Sequence, residues 1–182
     1  MGGEVVLMAG DRIAQFFAER GLTHAFGVVG AGNMRIFDAI HRLGKTQIIC
    51  THSEQAAAQA AIAYYRVGGR IAPVLVTCGG GASNVVTGIV SAWMDSIPLF
   101  VIAGQESRRH PQLRAFGVQG FDLISMVKKV SVRAKRIEAL YEGFSLDLAD
   151  WCRETGQLEK FDSGEGTYSY SVRPGPVVLE IL

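Results

Sequence analysis

Residues 73 to 104, "PVLVTCGGGASNVVTGIVSAWMDSIPLFVIAG", set two apolar runs on either side of a glycine turn and a helical pattern. The first run, "PVLVTC", is apolar and β-branched on both parities, which suits a strand buried on both faces of a parallel sheet. The pattern from about Ala82 to Met94 reads as a helix. It must end before Pro98, because proline cannot continue a helix and disfavours helix in the residue before it. "LFVIAG" then reads as the next strand. Strand, helix and strand in that order describe a crossover between parallel neighbours.

The same rhythm extends in both directions. "HAFGVV", "QIICT", "SMVKKVSV" and "PVVLEI" read as further strands. "GDRIAQFFAERG" carries apolar residues at Ile13, Phe16 and Phe17, with Asp11 near its start and Gly21 just past its end. A second helix runs from near Asn33 to Leu43 and stops at Gly44, and a third runs from about Ser53 to Val67 and stops at "GGR". The expected fold is therefore α/β: a doubly wound, mostly parallel six-stranded sheet with helices on both faces. Ligands of such sheets bind at the carboxyl ends of the strands. A further helical segment is expected from about Ile137 to Arg153. Residues 156 to 172, polar and with "SGEG" at their centre, read as a surface excursion before the last strand.

At 182 residues, 48% hydrophobic and 19% charged, the chain suits one globular domain over residues 1 to 182. Lys+Arg 18 against Asp+Glu 17 gives a net charge of +1 with the signs mixed, so there is no electrostatic footprint for nucleic acid or an anionic membrane. Cys50, Cys78 and Cys152 show neither a disulfide framework nor zinc spacing, and read as reduced thiols. "MGGEVVLMAGDR" lacks the basic residues and the ~7 to 15 apolar residues of a signal peptide. No run reaches the ~18 apolar residues of a membrane span, and the cytoplasm is the expected compartment.

Three strand-to-helix turns can carry chemistry. "GVVGAGN", residues 27 to 33, fails as a dinucleotide fingerprint because Arg35 stands where the third glycine belongs. Gly30 and Gly32 permit tight backbone, either in a plain turn or against a ligand. In "CTHSEQ", Ser53 can cap the following helix, and Glu54 suits the positive end of its dipole. Glu54 also precedes Ala56, Ala57, Ala58, Ala60 and Ala61. A helix that thin lets a neighbour pack close to the carboxylate, and burial would favour its protonated form. Capping and chemistry both remain open at this stage. "TCGGGASN", residues 77 to 84, offers bare backbone and a helix start for an anion or polar ring, but lacks the Gly-Lys-Ser/Thr ending of a phosphate loop. His24, His41, His52 and His110 show no metal-ligand spacing, and no metal site is expected in this chain.

Taken together, "EQAAAQAAIAYYRVGGR", "VTCGGGASNVVTGIVSAWMDSIPLFVIAGQ" and "RPGPVVLEI" resemble the N-terminal, pyrimidine-binding domain of thiamine-diphosphate enzymes of the acetolactate synthase type. The resemblance implies a catalytic role for Glu54. The matching glutamate hydrogen-bonds the aminopyrimidine and shifts it toward the imino tautomer, which deprotonates the thiazolium carbon that attacks a 2-oxo acid. It further implies cofactor contacts at Val28, Gly30, Gly80, Asn84 and Gln119. Asn84 matches the asparagine of the family's "SGPGATN" loop, and Gln119 the glutamine of its "FQE" segment. Gly80 stands in place of a proline, Val28 in place of the tyrosine of "GYPGG", Val29 in place of its proline, and Ser53 in place of a histidine. These departures are expected to relax two turns and remove an aromatic wall.

The family holds the diphosphate end through Mg²⁺ on a separate domain with a Gly-Asp-Gly motif. That motif does not occur here, since Gly10-Asp11 is followed by arginine. The resemblance therefore implies a diphosphate-binding partner, in a homo- or hetero-oligomer, and a small 2-oxo acid as substrate. The chain is expected to be either a small subunit or a piece of a longer enzyme, without flavin. Two rival readings are a non-catalytic assembly subunit of the same fold and a flavodoxin-like or nucleotide-binding domain.

Overall fold

The computed structural model describes residues 8–105, 119–137 and 174–181. Its elements in chain order are α1 (Ala9–Glu19), β1 (His24–Gly27), α2 (Met34–Leu43), β2 (Gln47–Cys50), α3 (Glu54–Gly68), β3 (Val74–Val76), α4 (Gly80–Asn84), α5 (Val86–Met94), β4 (Leu99–Gly104), α6 (Leu123–Val127), β5 (Arg133–Ile137) and β6 (Pro176–Ile181). The strands form one six-stranded sheet in the order β2-β1-β3-β4-β6-β5. Every pairing in it is parallel.

Alternation along the central strands divides the core in two. Phe100 and Ile102 of β4, with Val177 and Leu179 of β6, pack with Ile13, Phe17 and Ile40 of α1 and α2. Leu99, Val101 and Ala103 of β4, with Val178 of β6, face the other way, toward Ala58 and Ile62 of α3, Ile89 of α5 and Leu123 of α6. Strands buried on both faces thus explain the unbroken apolar runs. Each fully buried large side chain contributes ~1.5–3 kcal/mol.

The expected helix boundaries largely hold. Gly44 and Gly69 end α2 and α3 in the left-handed conformation, at φ 66° and 64°. Two expectations are corrected. "SMVKKVSV" is not a strand: Asp122 caps a helix there, its carboxylate accepting from the Ser125 N–H at 3.2 Å. The fifth strand is Arg133–Ile137, a charged sheet edge that exposes Arg133. The helix expected from Ala82 begins earlier, at Gly80, and breaks at Val85 into α4 and α5. Gly, Ser and Asn are weak helix formers, and the Ser83 hydroxyl donates to the Gly80 carbonyl at 2.7 Å. Of the helix expected over 137 to 153, only Ile137 is described, and it ends β5. The excursion at 156–172, His110 and Cys152 lie outside the described residues.

Candidate functional site

β1 lies between β2 and β3, so the chain leaves its carboxyl end toward one side of the sheet and later returns on the other. Connections diverge at this switch point, and in sheets of this kind the crevice outside the strand ends at such a point is where ligands bind. The turns after β1, β2 and β3 border it, and they carry Val28 and Gly30, Glu54, and Gly80 with Asn84.

The turn after β1 is closed from within. Asn33, 1% exposed, accepts the Gly30 N–H at 2.7 Å and donates to the Val28 carbonyl at 3.0 Å. Val28 itself is half-buried, with its N–H on the Leu75 carbonyl at 3.3 Å. Gly30 lies so near β3 that an added Cβ would come within 2.5 Å of Thr77 Oγ1, the same hydroxyl that accepts the Gly32 N–H at 3.1 Å. These glycines are required by loop-on-loop packing. Although proline is absent at Val29, the turn is braced by the Asn33 amide.

Cap and carboxylate have separate duties at the start of α3. Ser53 Oγ accepts the Ala56 N–H at 3.2 Å and caps the helix. Glu54, its first residue, is 6% exposed and turns away from the helix to meet Asn84, whose Nδ2 donates to Oε2 at 3.1 Å. No described residue donates a hydrogen bond to Oε1. That oxygen faces the bare backbone of Gly81, where a Cβ would stand 2.8 Å from it and 2.5 Å from Thr77 Cγ2. The thin helix behind behaves as its alanines imply, since a Cβ on Gly88 of α5 would strike Ala58. Gly79 supplies the positive φ, 64°, before α4, whereas Gly80 is exposed with open space where a Cβ would stand.

A second polar cluster stands beyond the end of β4. Glu180 of β6 is fully buried; its Oε1 accepts from Gln105 Nε2 at 2.8 Å and its Oε2 from Arg136 Nε. Gln105 Nε2 also donates to the Phe121 carbonyl at 2.8 Å, and an Arg136 Nη lies 3.4 Å from Asp122 Oδ1. Burial pushes the Glu180 carboxyl above its ordinary 4.5, against the opposing pull of Arg136 and Gln105. Burial also pushes Asp122 up, but the hydrogen bonds from Ser125 and the Arg136 charge outweigh it and hold that carboxyl below 3.8. Gln119 is exposed at the start of the described stretch 119–137, two residues before Phe121.

Glu54 and Asn84 therefore meet directly, Val28, Gly30 and Gly80 lie on the turns around them, and no hydrogen bond among the described residues ties Gln119 to any of these. The sequence reading missed Asn33, Thr77, Gly81, Gln105 and Glu180. Gly81 was signalled by the glycine run; the others are ordinary polar residues whose partners are set by the fold. Among the described residues no group of His, Cys, Asp or Glu is arranged to hold a metal ion. No helix among them is long and apolar enough to cross a membrane.

Residues 7–126 match the family described as thiamine pyrophosphate enzyme, N-terminal TPP binding domain. The acetolactate synthase large subunit of Buchnera aphidicola subsp. Schizaphis graminum is 35% identical over 179 residues, 97% of this chain and 28% of that protein. Its counterpart from Haemophilus influenzae is 34% identical over 178 residues, 96% of this chain and 28% of that protein. The acetolactate synthase isozyme 3 large subunit of Escherichia coli is 32% identical over 179 residues, 97% of this chain and 28% of that protein. The chain thus spans little more than a quarter of the length of these relatives.

Proposed function

Because the chain belongs to the thiamine pyrophosphate enzymes through their N-terminal TPP binding domain, we propose that it supplies the aminopyrimidine side of a thiamine diphosphate site. The enzyme so formed acts on 2-oxo acids by decarboxylation, carboligation or both, in the manner of an acetolactate synthase. The observation that carries this reading is the state of Glu54: a carboxylate buried in the crevice, held at Oε2 by Asn84 and open at Oε1. An oxygen so left over is suited to a protonated ring nitrogen, and this donor set fits an aminopyrimidine. When bound, thiamine diphosphate supplies a carbon nucleophile and an electron sink for the bond that breaks beside the carbonyl.

The chain contributes placement and proton handling. The Asn84 amide fixes the orientation of the Glu54 carboxylate, and Gly81, lacking a side chain, leaves Oε1 accessible. Val28, Gly30, Gly80 and Gln119 form the rest of the cofactor's surroundings in this reading. The diphosphate end and its Mg²⁺ belong to a separate domain or subunit with a Gly-Asp-Gly motif, within a cytoplasmic oligomer.

Reconstitution tests the proposal. The chain, a diphosphate-binding partner, Mg²⁺, thiamine diphosphate and pyruvate are combined and CO₂ release is followed. Glu54→Gln is expected to slow release ~10²–10⁴-fold, the range for loss of a positioned proton-transfer group. If the Glu54→Gln protein keeps the parent rate, the catalytic reading fails and a non-catalytic assembly subunit replaces it.

A further inference from the structure

Glu180 has no part in the chemistry assigned to Glu54, yet it is a fully buried carboxylate with both oxygens engaged. Its two partners lead to the same place. Gln105, fixed at Oε1, turns its amide onto the Phe121 carbonyl, 16 residues further along the chain. Arg136, fixed at Oε2, reaches Asp122, the next residue. Phe121 and Asp122 follow Gln119 after Gly120 and lead into α6, whose first turn Asp122 caps.

We propose that Glu180 is a positioning residue: a buried hub that, through Gln105 and Arg136, latches the segment 119–123 against the end of β4 and so sets where Gln119 stands beside the cofactor crevice. The latch itself is read from hydrogen bonds; its bearing on the cofactor rests on the function proposed above. The geometry gives each link a distinct duty. Gln105 sits immediately after β4 with its own N–H on the Ile181 carbonyl at 2.8 Å, so its side chain starts from a fixed sheet position. Gly104, the residue before it, abuts the Gly32 carbonyl of the turn after β1, so that a Cβ there would clash. The latch therefore shares a wall with the crevice. Without Glu180, Gln105 loses one acceptor and Arg136 its buried counter-ion, so both links to the Phe121 carbonyl and Asp122 are weakened.

The test uses the full chain and then the reconstituted enzyme. Gln105→Ala removes one arm; Glu180→Leu with Arg136→Met removes the hub without leaving a buried charge unpaired. Both variants are expected to keep the parent far-ultraviolet circular dichroism, while amide hydrogen exchange across 119–123 accelerates ~10-fold or more and that of α1 and α2 is unchanged. In the reconstituted enzyme the thiamine diphosphate concentration giving half-maximal rate should rise ~5-fold or more, while kcat at saturating cofactor changes less than ~2-fold. Unchanged exchange in 119–123 in the folded variants overturns the latch. Accelerated exchange with unchanged cofactor dependence overturns its role in positioning, provided Glu54→Gln is inactive in the same assay. If Glu54→Gln is fully active, the function proposed above fails while the latch, read by exchange, stands.

Discussion

Two buried carboxylates, Glu54 and Glu180, stand at the same end of one sheet and are used in opposite ways. Glu54 begins a helix, takes a hydrogen bond from an exposed asparagine at Oε2, and keeps Oε1 open toward bare glycine backbone. Glu180 sits in an inner strand between β4 and β5 with an amide on one oxygen and a guanidinium on the other. Burial makes either carboxylate costly, but only unspent bonding capacity makes it available for chemistry. Glu180 is saturated and serves as scaffold, whereas Glu54 keeps the bonding capacity that the proposed function calls on.

Cutting one bond at each carboxylate probes this contrast. Arg136→Met leaves Glu180 buried without its cation and should lower unfolding stability by about 3 kcal/mol, measured by denaturant titration. Asn84→Ala, in contrast, leaves Glu54 beside an open crevice and should cost only about 1 kcal/mol. Equal losses would mean that the two carboxylates are equally dependent on their partners, and the contrast would collapse. The glycine run sharpens the same point on a smaller scale. Gly81→Ala drives a methyl against Glu54 Oε1 and Thr77, with an expected loss of about 1–3 kcal/mol. Its neighbour Gly80, in open space at the first position of α4, should gain about 0.5–1 kcal/mol as alanine, read as a rise in Tm.

The smallest effect is in pH dependence. The folded chain holds a proton on Glu180 above pH 4.5, where the unfolded chain has lost it, so this group's stabilisation is complete below 4.5 and lost as pH rises through the raised folded value. Asp122 has the opposite sign, contributing above pH 3.8 and losing its contribution as pH falls through its depressed folded value. Denaturation midpoints across this range should therefore show, for Glu180→Gln, the loss of the parent's decline above pH 4.5. A decline that persists unchanged in that variant would assign it to another group.

Much of this was legible in the chain because short-range rules governed it. Gly44 and Gly69 end helices for local steric reasons, and the doubly apolar runs of β3, β4 and β6 report burial on both faces. The misread strand shows the limit of that signal. Val127, Val130 and Val132 look like β-strand, but the Asp122 cap three residues before Ser125 decides for a helix, and the true strand carries Arg133, Lys135 and Arg136 on a sheet edge. Glu54 stood out by its place before the alanine helix, its role and Asn84 came through motif resemblance, and their contact spans 30 residues. Gln105 and Glu180 meet across 75 residues, and neither has a local pattern to mark it. Asn33 was read only as a helix start, yet its side chain braces the turn after β1.

The order of the strands also has a consequence in time. β6 is inserted between β4 and β5, and among the described strands β5 pairs with β6 alone. During synthesis from the N-terminus, β5 emerges well before the strand it needs, and must wait for residues 176–181. The crevice of β1, β2 and β3 can assemble early from contacts close in sequence, whereas the Glu180 hub forms only when the last strand closes the gap. A ribosome-bound chain stalled before Pro176 would therefore carry Glu54 and Asn84 in place with Gln119 still unanchored.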